Sequence, residues 1–281
     1  FVQKHSICLA CQAQRGVSFF LMVNQGSMQL IILGSGTGIP VHDRASPSIL
    51  LHTKNRLLLF DIGPGTLRQM ARIGLDFRDL DHIFITHFHP DHCADLVHLL
   101  FATRNPSILA SRRPFVITGP LGLRGFLQAL ENAYGNWIKL PPNILTVEER
   151  KAEERETRRY ADLTVISQPV SHTARSLAYR VEGLDGKSFV YSGDTGLCEG
   201  IIRLAEGTDV LILESSFPNG QEVEGHLTPF LAGRIAALAK VPRLVLLHFY
   251  PEVLKTDIAP QCRKSFSGEL ILARDLLSLK V

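Results

Sequence analysis

Seven consecutive residues, Thr86-His87-Phe88-His89-Pro90-Asp91-His92, place three imidazoles and a carboxylate in one short turn directly behind the apolar run Ile83-Phe84-Ile85. The run reads as a buried strand and the stretch from Asp91 through Phe101 as a helix with its acid in the first turn, so the donors sit on a strand-to-helix loop. Side chains two apart in an extended loop share a face, which aims His87 and His89 the same way, while Asp91 and His92 turn with the helix start. A lone histidine is ordinarily a satisfied core or surface residue. Four metal-competent side chains within six positions are costly to bury unless a cation neutralises the carboxylate and orders the rings. The loop is therefore expected to hold closely spaced divalent metals.

One loop cannot complete two coordination shells, so further ligands must arrive from distant strand ends. Ser171-His172-Thr173 follows an apolar run ending at Val170, Gly193-Asp194-Thr195 follows the run Ser188 to Tyr191, and His248 follows the run Arg243 to Leu247. Each metal-competent side chain lies at the C-terminal end of a strand, where open sheets display their chemistry. His172, Asp194 and His248 thereby join His87, His89, Asp91 and His92 as candidate ligands.

Around these positions the chain alternates strands and helices. Gln29 to Leu33, Ser48 to Thr53 and Arg56 to Phe60 read as strands of one sheet, with Lys54-Asn55 as a hairpin tip. Helices are expected from Pro64 to Ile73, from Asp91 to Arg104 until Asn105-Pro106 breaks it, up to about Ala133, and from Thr228 to about Lys240. The charged stretch Val147 to Arg159 reads as a solvated hairpin or a short helix. Two successive blocks of strands with interspersed helices suggest two sheets packed face to face with helices outside.

With 281 residues and nothing resembling a linker, the expected organisation is one domain over residues 28–281. Residues 1–27 read as an extension outside that fold, since Met28 opens a clear strand. A hydrophobic fraction of 45% with 20% charge is ordinary for a globular core, and a net charge of +3 is too slight to imply a dedicated nucleic-acid binder. No apolar stretch approaches the eighteen residues of a membrane span, so no membrane partner is expected. Five scattered cysteines give no disulfide framework and suggest a reducing, cytoplasmic setting. Cys8 and Cys11 form a C-x-x-C pair without the second pair that a structural zinc site needs.

The order H-x-H-x-D-H, then His172, then Gly193-Asp194-Thr195, then His248 resembles the metallo-β-lactamase fold superfamily, from Met28 to near the C-terminus. Phe60-Asp61-Ile62-Gly63 resembles that superfamily's first motif. The resemblance implies an α/β architecture, an αββα sandwich of two mixed β-sheets flanked by helices, with a binuclear site at one edge. By it, His87, His89 and His172 would hold one metal and Asp91, His92 and His248 the other, with Asp194 bridging and Asp61 bracing an imidazole from behind. Leu33-Gly34-Ser35-Gly36-Thr37-Gly38 and Glu224-Gly225-His226-Leu227-Thr228 are similar to ribonuclease Z and its phosphodiesterase relatives, where the matching histidine works near the leaving group. The usual ribonuclease Z also carries a long Gly- and Pro-rich arm for gripping tRNA, between the positions matching His172 and Asp194. Here that interval holds only strand, turn and strand, which favours a smaller phosphodiester substrate and leaves RNA as the open alternative.

The chemistry so implied is phosphodiester hydrolysis by two divalent cations sharing a hydroxide. Zinc is preferred by ligand type, with manganese or iron as alternatives. Asp91 is the candidate general base and His226 the candidate general acid. A homodimer is expected from the family. The nearest rivals are a lactonase or thioesterase on the same fold, followed by a non-haem iron redox enzyme and a non-catalytic metal protein. Neither lactonase nor thioesterase is favoured by the Glu224 to Thr228 motif.

Overall fold

The computed structural model of the protein describes residues 28–151 and 154–281, so the expectations for residues 1–27 and for the Cys8/Cys11 pair lie outside the described residues. Two seven-stranded sheets make the frame. The first contains β1 (Gln29–Gly34), β2 (Ser48–His52), β3 (Leu57–Phe60), β4 (His82–Phe84), β5 (Phe115–Pro120), β6 (Leu145–Arg150) and β14 (Leu277–Lys280), in the order β14-β1-β2-β3-β4-β5-β6. The second contains β7 (Glu156–Arg159), β8 (Leu163–Pro169), β9 (Leu177–Gly183), β10 (Ser188–Tyr191), β11 (Val210–Glu214), β12 (Arg243–Leu247) and β13 (Glu269–Leu272), in the order β13-β12-β11-β10-β9-β8-β7.

Both faces of the central strands are buried, which is why they read as continuous apolar runs. Along β1, Leu30 and Ile32 point into the space between the sheets, while Ile31 and Leu33 pack outward. The inter-sheet layer is aromatic at its centre. Phe60 stacks on Phe84 at 5.0 Å and meets Phe189 edge-on at 5.5 Å. Burying each such side chain stabilises the fold by roughly 1.5–3 kcal/mol. Outside the first sheet lie α1 (Thr66–Arg72), α2 (Pro90–Cys93), α3 (Asp95–Thr103), α4 (Pro106–Ser111) and α5 (Leu123–Tyr134). With the second sheet go α6 (Glu199–Ala205), α7 (Pro229–Leu238), α8 (Pro251–Leu254) and α9 (Ile258–Arg263). The architecture is the expected αββα sandwich.

Three local expectations are corrected. The helix after the metal loop is broken at Ala94 into α2 and α3. Asn105-Pro106 ends α3 but also starts α4, because the Asn105 side chain accepts the Ser107 N–H at 3.1 Å and Pro106 fits the first helical position. The charged stretch Val147 to Arg159 is neither a hairpin nor a helix. Its described residues supply parts of β6 and β7, edge strands of opposite sheets, where most of the charged side chains meet water while Arg150 is buried and pairs with Glu148. The two-block reading also needs one amendment, since β14 returns from the C-terminus to pair with β1.

Parallel pairing of β3 through β6 and of β10 through β13 brings the C-terminal ends of several strands to one edge of the sandwich. The chemistry-bearing loops leave from those ends. Among the described residues, no helix is long and apolar enough to cross a membrane.

Candidate metal centre

The loop after β4 is anchored before it turns. Asp61, directly after β3, is wholly buried and accepts the Thr86 N–H at 2.8 Å, the Thr86 hydroxyl at 2.9 Å and the Tyr191 hydroxyl at 2.9 Å. Its Oδ2 lies 2.8 Å from His92 Nδ1. The neighbouring backbone knits the two segments further, with Ile62 N–H donating to His92 O at 2.8 Å. Gly63 is required there: a Cβ would stand 1.9 Å from the Asp91 carbonyl oxygen.

Four histidines share one polarity. His92 Nδ1–H donates to Asp61, His87 Nδ1–H to Thr86 Oγ1 at 3.0 Å, His172 Nδ1–H to Gly225 O at 2.9 Å, and His248 Nδ1–H to Ser216 Oγ at 2.9 Å. This hydrogen-bond pattern assigns the tautomers and leaves the Nε2 lone pairs aimed at the centre. His89 completes that side, with its Nδ1 3.1 Å from His172 Nε2.

Asp194 sits between two groups of donors. Its Oδ2 is 3.9 Å from His87 Nε2 and 3.7 Å from His172 Nε2. Its Oδ1 is 3.2 Å from His92 Nε2 and 3.3 Å from His248 Nε2. Asp91 Oδ2 joins the second group, 3.7 Å from His92 Nε2 and 3.4 Å from His248 Nε2. Ligand atoms of His87, His89, His172 and Asp194 lie within 4.8 Å of one another, and so do those of Asp91, His92 and His248. Three of these atoms, His87 Nε2, His92 Nε2 and Asp194 Oδ1, are buried without any hydrogen-bond partner. Buried polar atoms are almost always paired, and an imidazole and carboxylate donor set of this kind suits a borderline or hard divalent cation. The residues present therefore fit divalent metal.

The electrostatics agree. Burial alone would raise the Asp194 carboxyl, but His248 and His92 hold it well below the usual carboxylate range. Burial likewise works against a charged His92, and Asp194 with Asp61 overrides it and raises the imidazole well above its ordinary value. A proton or a cation is needed to balance the negative charge gathered at this edge.

His226 faces the same centre from the loop before α7, whose start is set by Thr228 accepting the Leu231 N–H and by Pro229 at the first helical position. Its ring lies 4.7 Å from that of His172 and 6.1 Å from that of His248. Its Nδ1 is 2.9 Å from Glu214 Oε1. Burial lowers the imidazole's affinity for a proton, but the Glu214 hydrogen bond reverses this and raises its pKa.

Glu214 was not among the sequence candidates. It is fully buried at the end of β11 and accepts from Thr195 N–H at 2.8 Å, from Leu227 N–H at 3.2 Å and from the Ser216 hydroxyl. The available signal was an acid closing the apolar run Val210-Leu211-Ile212-Leu213, the same strand-end placement that singles out Asp194. Tyr250, two residues past His248, also escaped notice. Burial, and then the charges of Asp91, Asp194 and Glu214, push its phenol up to about 12.

The glycine-rich turn after β1 is a brace. Ser35 O accepts the N–H groups of His248 at 2.9 Å and Phe249 at 3.2 Å, and the Asp275 carboxylate holds Ser35 and Ala45 from the other side. Between His172 and Asp194 the chain contains only β9, the four-residue turn 184–187, β10 and short loops, so no long arm is present there. A groove of about 810 Å³ beside the loop is lined by Phe88, Pro90, Phe126 and Trp137 among others, and by none of the candidate ligands.

A family profile described as "Beta-lactamase superfamily domain" matches residues 56–249. A ribonuclease Z of Streptomyces avermitilis is 31% identical over 308 aligned residues, covering 90% of this chain and 97% of that protein. That alignment is longer than the present chain, so the relative carries segments without a counterpart here. Among solved structures, the metallo-beta-lactamase fold protein YhfI of Bacillus subtilis superposes with a TM-score of 0.78 at 23% identity, covering 91% of this chain and all of that one, which shows the fold. The short form of human tRNase Z superposes with a TM-score of 0.72 at 25% identity, over 89% and 98% of the two chains. A chain that joins that profile to a ribonuclease Z relative along 90% of its length belongs to the beta-lactamase superfamily, as a metal-dependent hydrolase of the ribonuclease Z-like kind.

Proposed function

We propose that the protein is a binuclear phosphodiesterase acting on RNA 3′ ends or on small, including cyclic, nucleotide phosphodiesters. The observation that carries this reading is Asp194, whose two carboxylate oxygens face different groups of donors. In this reading His87, His89 and His172 hold one divalent ion, Asp91, His92 and His248 hold the other, and Asp194 serves both. Zinc is the first choice by donor type. Bound there, divalent ions supply Lewis acidity to the phosphoryl oxygens and acidify water at neutral pH.

The protein's own groups do the rest. Asp91, the carboxylate of the second group and partly open to solvent, orients the attacking water and accepts its proton. His226 donates a proton to the departing oxygen, and the buried Glu214 fixes its ring and favours its charged form. His226 also falls within ligand distance of Asp194 and His248. We assign it to proton transfer because seven other donors already provide for two ions. Asp61, Ser216 and the Gly225 carbonyl hold the tautomers that keep Nε2 available.

The ribonuclease Z relatives support a phosphodiester substrate, and the short interval between His172 and Asp194 supports one that needs no arm. Residues 28–281 act as one catalytic domain in this reading. The family resemblance further supports a homodimer, and the five scattered cysteines of the sequence suit a reducing cytoplasm. The test is turnover of bis-p-nitrophenyl phosphate by metal-analysed protein beside a lactone, a thioester and a precursor tRNA. Hydrolysis confined to phosphodiesters and abolished by chelation supports the proposal. Lactone or thioester turnover without phosphodiester turnover overturns its substrate class.

A further inference from the structure

Beside the seven proposed ligands, two of the described side chains near the centre carry a hydrogen-bond donor that the ligand set does not use. One is His226; the other is Tyr250. The chain leaves β12 through His248, whose φ of 60° turns the backbone sharply, and Tyr250 then caps α8 just ahead of Pro251. Its ring lies 5.6 Å from that of His248 and 6.3 Å from that of His226. Phe217 stacks on it at 4.9 Å and 19°, and Phe217 also meets the His226 ring edge-on at 5.6 Å. Tyr250 is thus held in a fixed aromatic clasp with His226, and its half-buried position leaves it in reach of an incoming ligand.

Its hydroxyl makes no hydrogen bond among the described residues. The wholly buried phenols behave otherwise: Tyr179 donates to Ile85 O at 2.8 Å and Tyr191 to Asp61 at 2.9 Å. A phenol carries its proton at neutral pH, so the unpartnered hydroxyl is a donor. An O–H group preset at the edge of a charged centre stabilises negative charge that develops on a substrate oxygen.

We propose that Tyr250 is a catalytic residue that donates a hydrogen bond to a non-bridging oxygen of the phosphodiester, while His226 serves the leaving oxygen. No proton is transferred from Tyr250, so the balance of the hydrolysis is unchanged. The inference rests on the phosphodiesterase reading, and a wild-type protein inactive on every phosphodiester would fail that reading first.

The test uses the metal-loaded full chain with two phosphodiesters, one releasing p-nitrophenolate and one releasing a simple alkoxide, together with calorimetric binding of inorganic phosphate. Tyr250→Phe is expected to lower kcat roughly 10- to 100-fold on both substrates alike and to weaken phosphate binding, with metal content and Tm unchanged. His226→Ala is expected to lose far more on the alkoxide substrate than on the p-nitrophenolate one. Full activity of Tyr250→Phe on a wild type that is active overturns the assignment, because the ring alone would then suffice. A Tyr250→Phe loss that grows with the basicity of the leaving group also overturns it, since the phenol would be serving the leaving oxygen instead. A Tyr250→Leu variant checks the ring: equal losses in Phe and Leu support the hydroxyl, and a loss confined to Leu contradicts it.

Discussion

The two sides of the centre are built in different ways. On one side, Asp61 and the loop Thr86 to His92 place five chemistry-bearing residues on two adjacent strand ends, locked together by short hydrogen bonds and by the absence of a side chain at Gly63. On the other side, Glu214, Ser216, His226, His248 and Tyr250 come from three separate segments and meet only because β11 and β12 lie side by side. In the proposed reading the first side is a local cage for cations that also carries the general base, Asp91. The second is assembled by the sheet, and in the proposed reading its residues, His248 apart as a ligand, orient and move protons. Metal retention and proton transfer should therefore separate under mutation.

The largest effect is expected where the two sides join. Asp194→Ala removes the carboxylate facing both groups of donors, so phosphodiester turnover should fall by about 10³-fold or more, with loss of bound metal measured by elemental analysis. Retention of both metal and activity would break the division. Next comes His226→Ala, expected to reduce kcat by about 10²- to 10⁴-fold while leaving metal content unchanged. Metal loss in that variant would move His226 to the cage side. Glu214→Gln should cost less, roughly 10- to 100-fold in kcat, because the imidazole keeps its place but loses the charge that favours its protonated form. A steady-state comparison with His226→Ala in the double variant checks the coupling: the two losses should not add.

The smallest effect concerns the strand that carries the loop. His82 in β4 is buried, stacks on Phe84 at 4.0 Å and lies 2.7 Å from Thr118 Oγ1. Burial lowers its pKa from 6.5 to about 3. The unfolded chain binds this proton near pH 6.5 while the folded chain does not, so the stabilisation is complete above pH 6.5 and declines as pH falls toward 3. Between pH 6.5 and 5 the loss is about 2 kcal/mol. Denaturant titrations across that range should show it in the wild type and show less of it in His82→Phe.

The same division explains what could be read from the sequence. The cage loop was legible because four donors fall within six residues, and His172, Asp194 and His248 were legible because each follows an apolar strand. Glu214 looked like the tail of a core strand, and only the folding of the loop before α7 onto the end of β11 brings His226 to it. Tyr250 carried no local signal, since a lone tyrosine before a proline is common in loops. Edge strands were the hardest part of the fold. Lys151 to Arg159 alternates charges with no apolar face, so neither period stands out, and its strand β7 exists only through its ladder with β8. The return of β14 to β1 is a contact across the whole chain that no local pattern encodes.

The most direct measurement is a metal titration of the chelated full chain, with zinc added in molar equivalents and bis-p-nitrophenyl phosphate turnover read at each step. The account predicts that activity rises and reaches its plateau at two equivalents per chain. A plateau at one equivalent, or no turnover at any loading, would contradict a binuclear phosphodiesterase.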